Sequence, residues 1–570
     1  MKTLFLFLAA LGLAQPLAGA PPIELPAGAL AFLEVNDLAG QVTRVRQSLL
    51  SKLITQSPEY RQALEAPQAR QLLAGMQFAE NLLGTNLVKV SDAMLGGQMV
   101  LALYPREGRK EPDAVLALRV GDAAVWQQLR GRLQPLLVLA GAKLKRTAEP
   151  GGVDRLQLED KVFGLLRPDG LLVASRKDLL DSAEVLFAGK QAPALSASSA
   201  FAKFGEQMGR RHFMRLGVDL EAMQKRFGAR LGVPAQFDNG GASLLFQALA
   251  ELALKSPYLG LTLDLDDRGF DFAAGIAGGP KQVAPEFRWY FSDPASRGAP
   301  PLPEVPGLIG GLSWYVDFAG WYRQHEKLLT ERAQPEFDKF ESGIKTLLPG
   351  REFAEDVLPA LGRSVTLVAA HQQFKHLGGG LPAVKLPGFA LVFDLAKPAE
   401  GGDLFALLFQ TIATLTNFGA AETGKEPWVM VAEEFEGTTL SRMRHLRAPK
   451  GAALPIVYNF MPCGAQVGSH FIFASAPDLC KGLMTALKKP APKSANRNLL
   501  IQLRPGQLAT LARNNGDILK AQFVQKGQDT ATAQRGIDTL LQLLQAVESL
   551  EHYSTVGEDR FQFRLEGRWK

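Results

Sequence analysis

Gly170-Leu-Leu-Val-Ala-Ser-Arg-Lys-Asp-Leu179 returns in altered form 300 residues later, as Phe471-Ile-Phe-Ala-Ser-Ala-Pro-Asp-Leu479. Ala174, Ser175, Asp178 and Leu179 meet Ala474, Ser475, Asp478 and Leu479. Each copy reads as a buried strand, then a Ser suited to a helix cap, then an Asp in the first helical turn. There the carboxylate suits the positive end of the helix dipole. Turn residues precede both copies, Arg167-Pro168-Asp169-Gly170 in one and Cys463-Gly464 in the other.

Outward from this element, further landmarks recur in the same order. Pro26, Asp37, Ala39 and Gly40 match Pro306, Asp317, Ala319 and Gly320; Leu95-Gly96 matches Leu361-Gly362, and Pro112 matches Pro387. Gly121-Asp122 and Gly402-Asp403 each open a helix-like run. The pattern predicts an α+β protein of two homologous halves, each a mainly antiparallel sheet with helices packed on it. The expected division is a signal peptide at 1–20, a first half at 21–293, a Pro-rich linker at 294–303 and a second half at 304–570.

In the first half, strands are expected at 29–35, 99–104, 114–120, 155–158, 162–166, 171–174, 213–218, 258–265 and 270–276. One helix is expected to start at Asn36-Asp37 and carry Leu38, Val42, Val45, Leu49, Leu50 and Leu53, a second to span 58–83, and others to span 123–139 and begin near Asp178. In the second half the strands fall at 312–316, 365–369, 389–395, 499–503 and 561–565.

Composition narrows the function class. A chain of 570 residues exceeds a single core. Lys plus Arg exceed Asp plus Glu by only 6, with no basic stripe, so nucleic acid is a poor partner. Lys2 and the apolar run 4–14 have the layout of a secretory signal, with cleavage after Ala14, Ala18 or Ala20. No later apolar run reaches about 18 residues without charges or turn residues, which predicts no transmembrane segment in the mature chain. Localisation is therefore expected to be periplasmic or secreted. The two cysteines, Cys463 and Cys480, could pair in an oxidising compartment or pack as thiols. A strand between them is expected to keep them beyond the ~7 Å Cα limit for a bridge unless the helix after it folds back.

The opening Leu25-Pro-Ala-Gly-Ala-Leu-Ala-Phe-Leu-Glu-Val35 resembles the start of exported bacterial proteins grouped as domain of unknown function 3352. The strand-then-Ala-Ser-x-x-Asp-Leu element and Leu195-Ser-Ala-Ser-Ser-Ala-Phe-Ala-Lys-Phe204 share that resemblance. Gly28 stands where the family pattern has Asp, and the second copy reads Val305-Pro306-Gly307. The resemblance implies export and alternating strands and helices, and it brings no activity or site residues.

Gly419 to Lys425 has the spacing of a phosphate loop, but Glu426 replaces the Mg²⁺-binding hydroxyl and a helix precedes it. His371 and His376 lack a third metal ligand in the pattern. Asp264, Asp266, Asp267 and Asp271 bracket a hairpin turn better than a calcium loop. Arg442, Arg444, His445 and Arg447 read as a solvated basic face. Ser175 and Ser475 recur without a recurring His, so capping is their expected role. These readings predict no catalytic, metal or cofactor site. They point to a non-catalytic binding or structural module of the bacterial cell envelope, partnered by an envelope protein or an apolar ligand. The alternatives are a carrier for an apolar molecule such as a lipid, for which 404–415 could line a cavity, and a hydrolase assembled from distant residues.

Overall fold

The computed structural model describes residues 22–108, 111–139, 144–159, 161–228, 236–292, 298–374, 377, 380–424, 426–447, 453–490 and 496–570. The expected signal segment and residues 294–297 of the expected linker lie outside the described residues. The chain divides into two compact units. The described residues of 22–228 join Ser256–Ala277 and Trp569 in the first, and those of 236–255 and 278–568 join Lys570 in the second. Each is α+β, as the sequence predicts.

Among the described residues the first unit has ten strands: β1 (Ala31–Asn36), β2 (Gln98–Tyr104), β3 (Asp113–Arg119), β4 (Leu144–Glu149), β5 (Val153–Leu158), β6 (Val162–Arg167), β7 (Gly170–Ala174), β8 (Met214–Asp219), β9 (Tyr258–Leu265) and β10 (Gly269–Ala277). Every pairing is antiparallel, in the order β4-β5-β6-β7-β3-β2-β1-β8-β9-β10. Alternation puts Phe32, Ala102, Val115 and Ala174 on one face, where the helices Lys177–Phe187 and Ser199–Met208 bury Leu180, Ala183, Phe201 and Phe204.

Two glycines make room for those rings. Gly217 of β8 and Gly260 of β9 are paired across the ladder. A Cβ on Gly217 would lie 2.5 Å from the Phe32 ring, and one on Gly260 2.3 Å from the Phe204 ring. The rings fill the gap edge to face, with Phe32 and Phe201 centroids 5.0 Å apart. Gly217→Ala should therefore overpack the core and cost about 1–3 kcal/mol. Urea unfolding with unchanged stability would contradict this.

The second unit repeats the count: β11 (Leu308–Tyr315), β12 (Leu361–Ala370), β13 (Gly388–Leu395), β14 (Trp428–Phe435), β15 (Thr438–His445), β16 (Cys463–Val467), β17 (His470–Ala474), β18 (Arg497–Leu503), β19 (Val547–Val556) and β20 (Arg560–Trp569). Beyond these ten, two short strands, Leu381–Pro382 and Ala453–Leu454, form a separate two-stranded parallel sheet. The antiparallel order is β14-β15-β16-β17-β13-β12-β11-β18-β19, the first unit's order with ten added to each label. β20 leaves β19 through a turn closed by Gly557 N–H donating to Arg560 O at 2.8 Å. The helix Pro477–Leu487 buries Leu479, Cys480, Leu483 and Met484 against Val368, Ala390 and Ala465. Residues 236–255 pack here too: Gln247 donates to Leu328 O at 3.2 Å, and Trp321 Nε1 donates to Ser243 at 3.3 Å. Gly298 and Ala299, inside the expected linker, are buried, and Ala299 N–H donates to Arg497 O at 2.6 Å.

Several local expectations change for identifiable reasons. The helix after Asp37 is two: Leu38–Gln47 ends at Ser48, whose side chain caps Leu49–Gln56 through Ser51 N–H. The single helix expected over 58–83 breaks at Ala66, because the residue before Pro67 avoids helical geometry. β4 was not expected, since Leu-Lys-Arg-Thr-Ala-Glu is exposed at most of its positions and lacks apolar alternation. The helix Pro398–Glu422 starts before Gly402-Asp403, with Pro398 in its first turn.

Candidate functional site

The most site-like feature of the second unit is the sheet face opposite its core. Ladder pairing places Ile501, Leu312, Leu367, Leu391 and Phe473 side by side on five neighbouring strands. Val368 and Ala390, the adjacent positions in the chain, point into the core at 0% and 2% exposure. Leu367, Leu391 and Ile501 are instead 39%, 40% and 38% exposed, and Phe389 beside them is 42% exposed. At one end the helix Pro398–Glu422 covers the face, Phe405 stacking on Phe393 and Phe471 at 5.0 and 5.4 Å. Phe405 and Phe409 of that helix also pack on Phe473, so the remainder is an apolar trough about 14 Å across, from three strand-to-strand steps of about 4.8 Å each.

The first unit builds the matching row from Val173, Leu116, Leu101, Leu33, Leu216 and Leu261. Each of these is only partly buried. Beside this row, Trp126, Leu129, Val90 and Met94 from two helices pack on Leu171 and Leu166.

Among the described residues one helix, Pro398–Glu422, is long and apolar enough to cross a membrane, with a mean hydropathy of 1.4 over its best window. Its first half packs inward through Phe405 and Phe409, while Ile412, Leu415 and Phe418 are exposed. Asn417 and Gly419 lie inside it and do not end it; the Asn417 side chain holds Trp428 through both amide groups, at 2.7 and 2.9 Å.

The residues singled out by sequence fall as follows. Ser175 and Ser475 do not cap their helices, whose first turns begin after Arg176 and Ala476 with no side-chain cap. Instead Ser175 Oγ accepts Ala114 N–H at 3.1 Å and Ser475 Oγ accepts Phe389 N–H at 2.8 Å, so each ties its element to the start of β3 or β13. Asp178 and Asp478 do sit in first helical turns. Gly419 to Glu422 are the end of a helix, and Lys425 lies outside the described residues.

His371 lies against Gln507 O at 3.0 Å; His376 lies outside the described residues. Asp264 takes His212 and Phe213 N–H at 2.6 and 2.8 Å, and Asp266 accepts Arg268 N–H in the hairpin turn. The basic strand is less solvated than expected. Arg442 pairs with Glu433 at 3.0 Å, and the His445 ring sits between Trp428 and Tyr458, where burial lowers its pKa. Arg444 and Arg447 are exposed.

Cys463 and Cys480 are both free, buried thiols. The helix Pro477–Leu487 folds back over β16, the arrangement in which the sequence allows the two to approach, and a hydrogen bond with Cys480, together with burial, pushes the Cys463 thiol up. Cys463 Sγ donates to Met461 O at 3.0 Å.

The trough itself escaped sequence reading. Its four side chains come from positions up to 189 residues apart and meet only through ladder register.

No family model and no curated protein matches the chain. Two solved structures are similar to part of it, crystal forms III and IV of TP0453, at 13% and 12% identity. The alignments cover 46% of this chain and 80% and 81% of those chains, with TM-scores of 0.23 and 0.24.

Proposed function

We propose that the protein is an exported, non-catalytic binding protein of the bacterial cell envelope that holds an elongated apolar ligand, such as a lipid acyl chain, on the open sheet face of its second unit. The observation that carries this reading is the row Ile501, Leu312, Leu367 and Leu391, in which Ile501, Leu367 and Leu391 are exposed and Leu312 is half-buried, flanked by exposed Phe389. Such a row leaves apolar area in water that a ligand would cover at about 25 cal/mol per Å². Export rests on the signal-like layout of residues 1–20. We also infer that the two units arose by tandem duplication. The shared strand order supports this. So does the element of a five-residue strand and an eleven-residue helix, Gly170–Ala174 with Lys177–Phe187 and His470–Ala474 with Pro477–Leu487.

The test is displacement of a fluorescent fatty acid from the purified full chain. Leu367→Asp and Leu391→Asp place charges on exposed positions, so the fold tolerates them while the trough loses its apolar floor. Each should weaken binding at least about tenfold, or ~1.4 kcal/mol. Unchanged affinity in both variants, with unchanged circular dichroism, would rule the trough out as the ligand site.

A further inference from the structure

We propose that a second site, a cationic cleft in the second unit, binds a small organic molecule bearing a phosphate or carboxylate on an aromatic body. The cleft has a volume of about 710 Å³, within the range of small-ligand sites. Four cations line it: Lys281, Arg288, Arg323 and Arg363. Among the described residues two acids line the cleft with them, and both are engaged. Asp317 accepts Gly320 N–H at 2.8 Å as a helix cap and lies 3.5 Å from Arg363, while Glu558 lies 3.6 Å from Lys281. Arg288 and Arg323 are exposed and have no acidic partner among the described residues. The positive excess therefore rests on two guanidinium groups, whose planar fork suits phosphate and carboxylate oxygens.

An aromatic wall supplies the second half of the recognition. Trp289 lines the cleft, is 5% exposed, and its Nε1 finds no acceptor among the described residues. Phe291 and Tyr315 also line the cleft. An unpaired buried donor carries a desolvation cost that an acceptor on a ligand would remove. Charge alone would hold inorganic phosphate; the aromatic wall selects an anion with a ring attached.

Isothermal titration of the full chain with phenyl phosphate, benzoate and benzyl alcohol tests this. Both anions should bind at one site, phenyl phosphate more tightly, with affinity falling as salt rises from 20 to 300 mM on the order of the screening expected for exposed charges. Benzyl alcohol should bind at least about tenfold more weakly. The double variant Arg288→Glu and Arg323→Glu should lose at least about tenfold in affinity for both anions, with its melting temperature unchanged because both residues are exposed. Equal binding of benzyl alcohol, or unchanged anion binding in the folded double variant, would overturn the proposal. Binding of phenyl phosphate without benzoate would keep it and narrow the ligand to phosphates.

Discussion

Glu34→Ala should destabilise the first unit by about 3–5 kcal/mol, the cost of stripping a buried cation of its counter-charge. Glu34 and Arg215 meet at 2.9 Å on the core face of β1 and β8, with side chains 13% and 11% exposed. Glu34 also accepts Asn36 and Gln98 amide groups at 3.0 and 2.9 Å, and Gln98 in turn accepts Ile23 N–H. The Arg215 guanidinium lies over the Phe204 and Phe32 rings, 5.0 and 5.7 Å from their centroids. Without Glu34 that charge stays among aromatic side chains with nothing to neutralise it. Hydrogen exchange is the appropriate measurement, since a chain of two units need not unfold in one step. Amides of β1 and β8 should lose protection by roughly 10²- to 10³-fold or more. Glu34→Leu with Arg215→Met should restore most of it, because a well-packed apolar pair replaces a buried ion pair at little cost. Protection unaltered by Glu34→Ala would show that the pair contributes nothing.

Asp92→Asn should stabilise the protein at pH 8, by up to about 3 kcal/mol, and lose that advantage in acid. Asp92 sits in the helix Leu87–Leu95, almost wholly buried, with Oδ1 lacking a partner. Burial pushes its pKa up to about 6, and Arg46 nearby offsets this only in part. A carboxyl that binds its proton more tightly when folded contributes stability that is fully present below its unfolded value near 3.9. That contribution is lost as pH rises through about 6, so the native chain is weakened at neutral pH where Asn would not be.

His445 and His552 act in the opposite direction. Burial lowers both, so the unfolded chain takes up their protons first and stability falls as pH drops below about 6.5. Thermal unfolding of native and Asp92→Asn protein at pH 8 and pH 5 separates the effects. An identical difference between the two proteins at both values would refute the assignment to Asp92.

Much of the fold was legible because its strands alternate cleanly and its turns are marked. Tyr258–Leu265 was read with its observed bounds, and the helix Ala123–Leu139 likewise. Reading failed where the physical cause was not local. Ser175 sits where a cap belongs, yet its hydroxyl answers to Ala114 on a strand 61 residues away. Cys463 and Cys480 are separated along the chain unless the helix folds back, and its return over its own hairpin brings the thiols together. The trough depends on register, which period-two alternation specifies only as a choice of face. Alternation in β12 and β13 shows two apolar faces with no sign of which one stays open.

Residues 236–255 give the chain an unusual timetable during synthesis. Emerging ahead of the last strands of the first unit, they must wait for Trp321 and Leu328, some 80 residues later, before they find their places. At about 5–20 residues per second that wait lasts several seconds, with Ala248 and Leu252, which are fully buried in the fold, still uncovered. A fragment beginning at residue 304 would lack this segment altogether. It would leave Trp321 Nε1 without Ser243 and the Leu328 carbonyl without Gln247. Cutting the chain at its most obvious Pro-rich seam therefore divides one folding unit, and an autonomous second unit has to carry residues 236–255 with it.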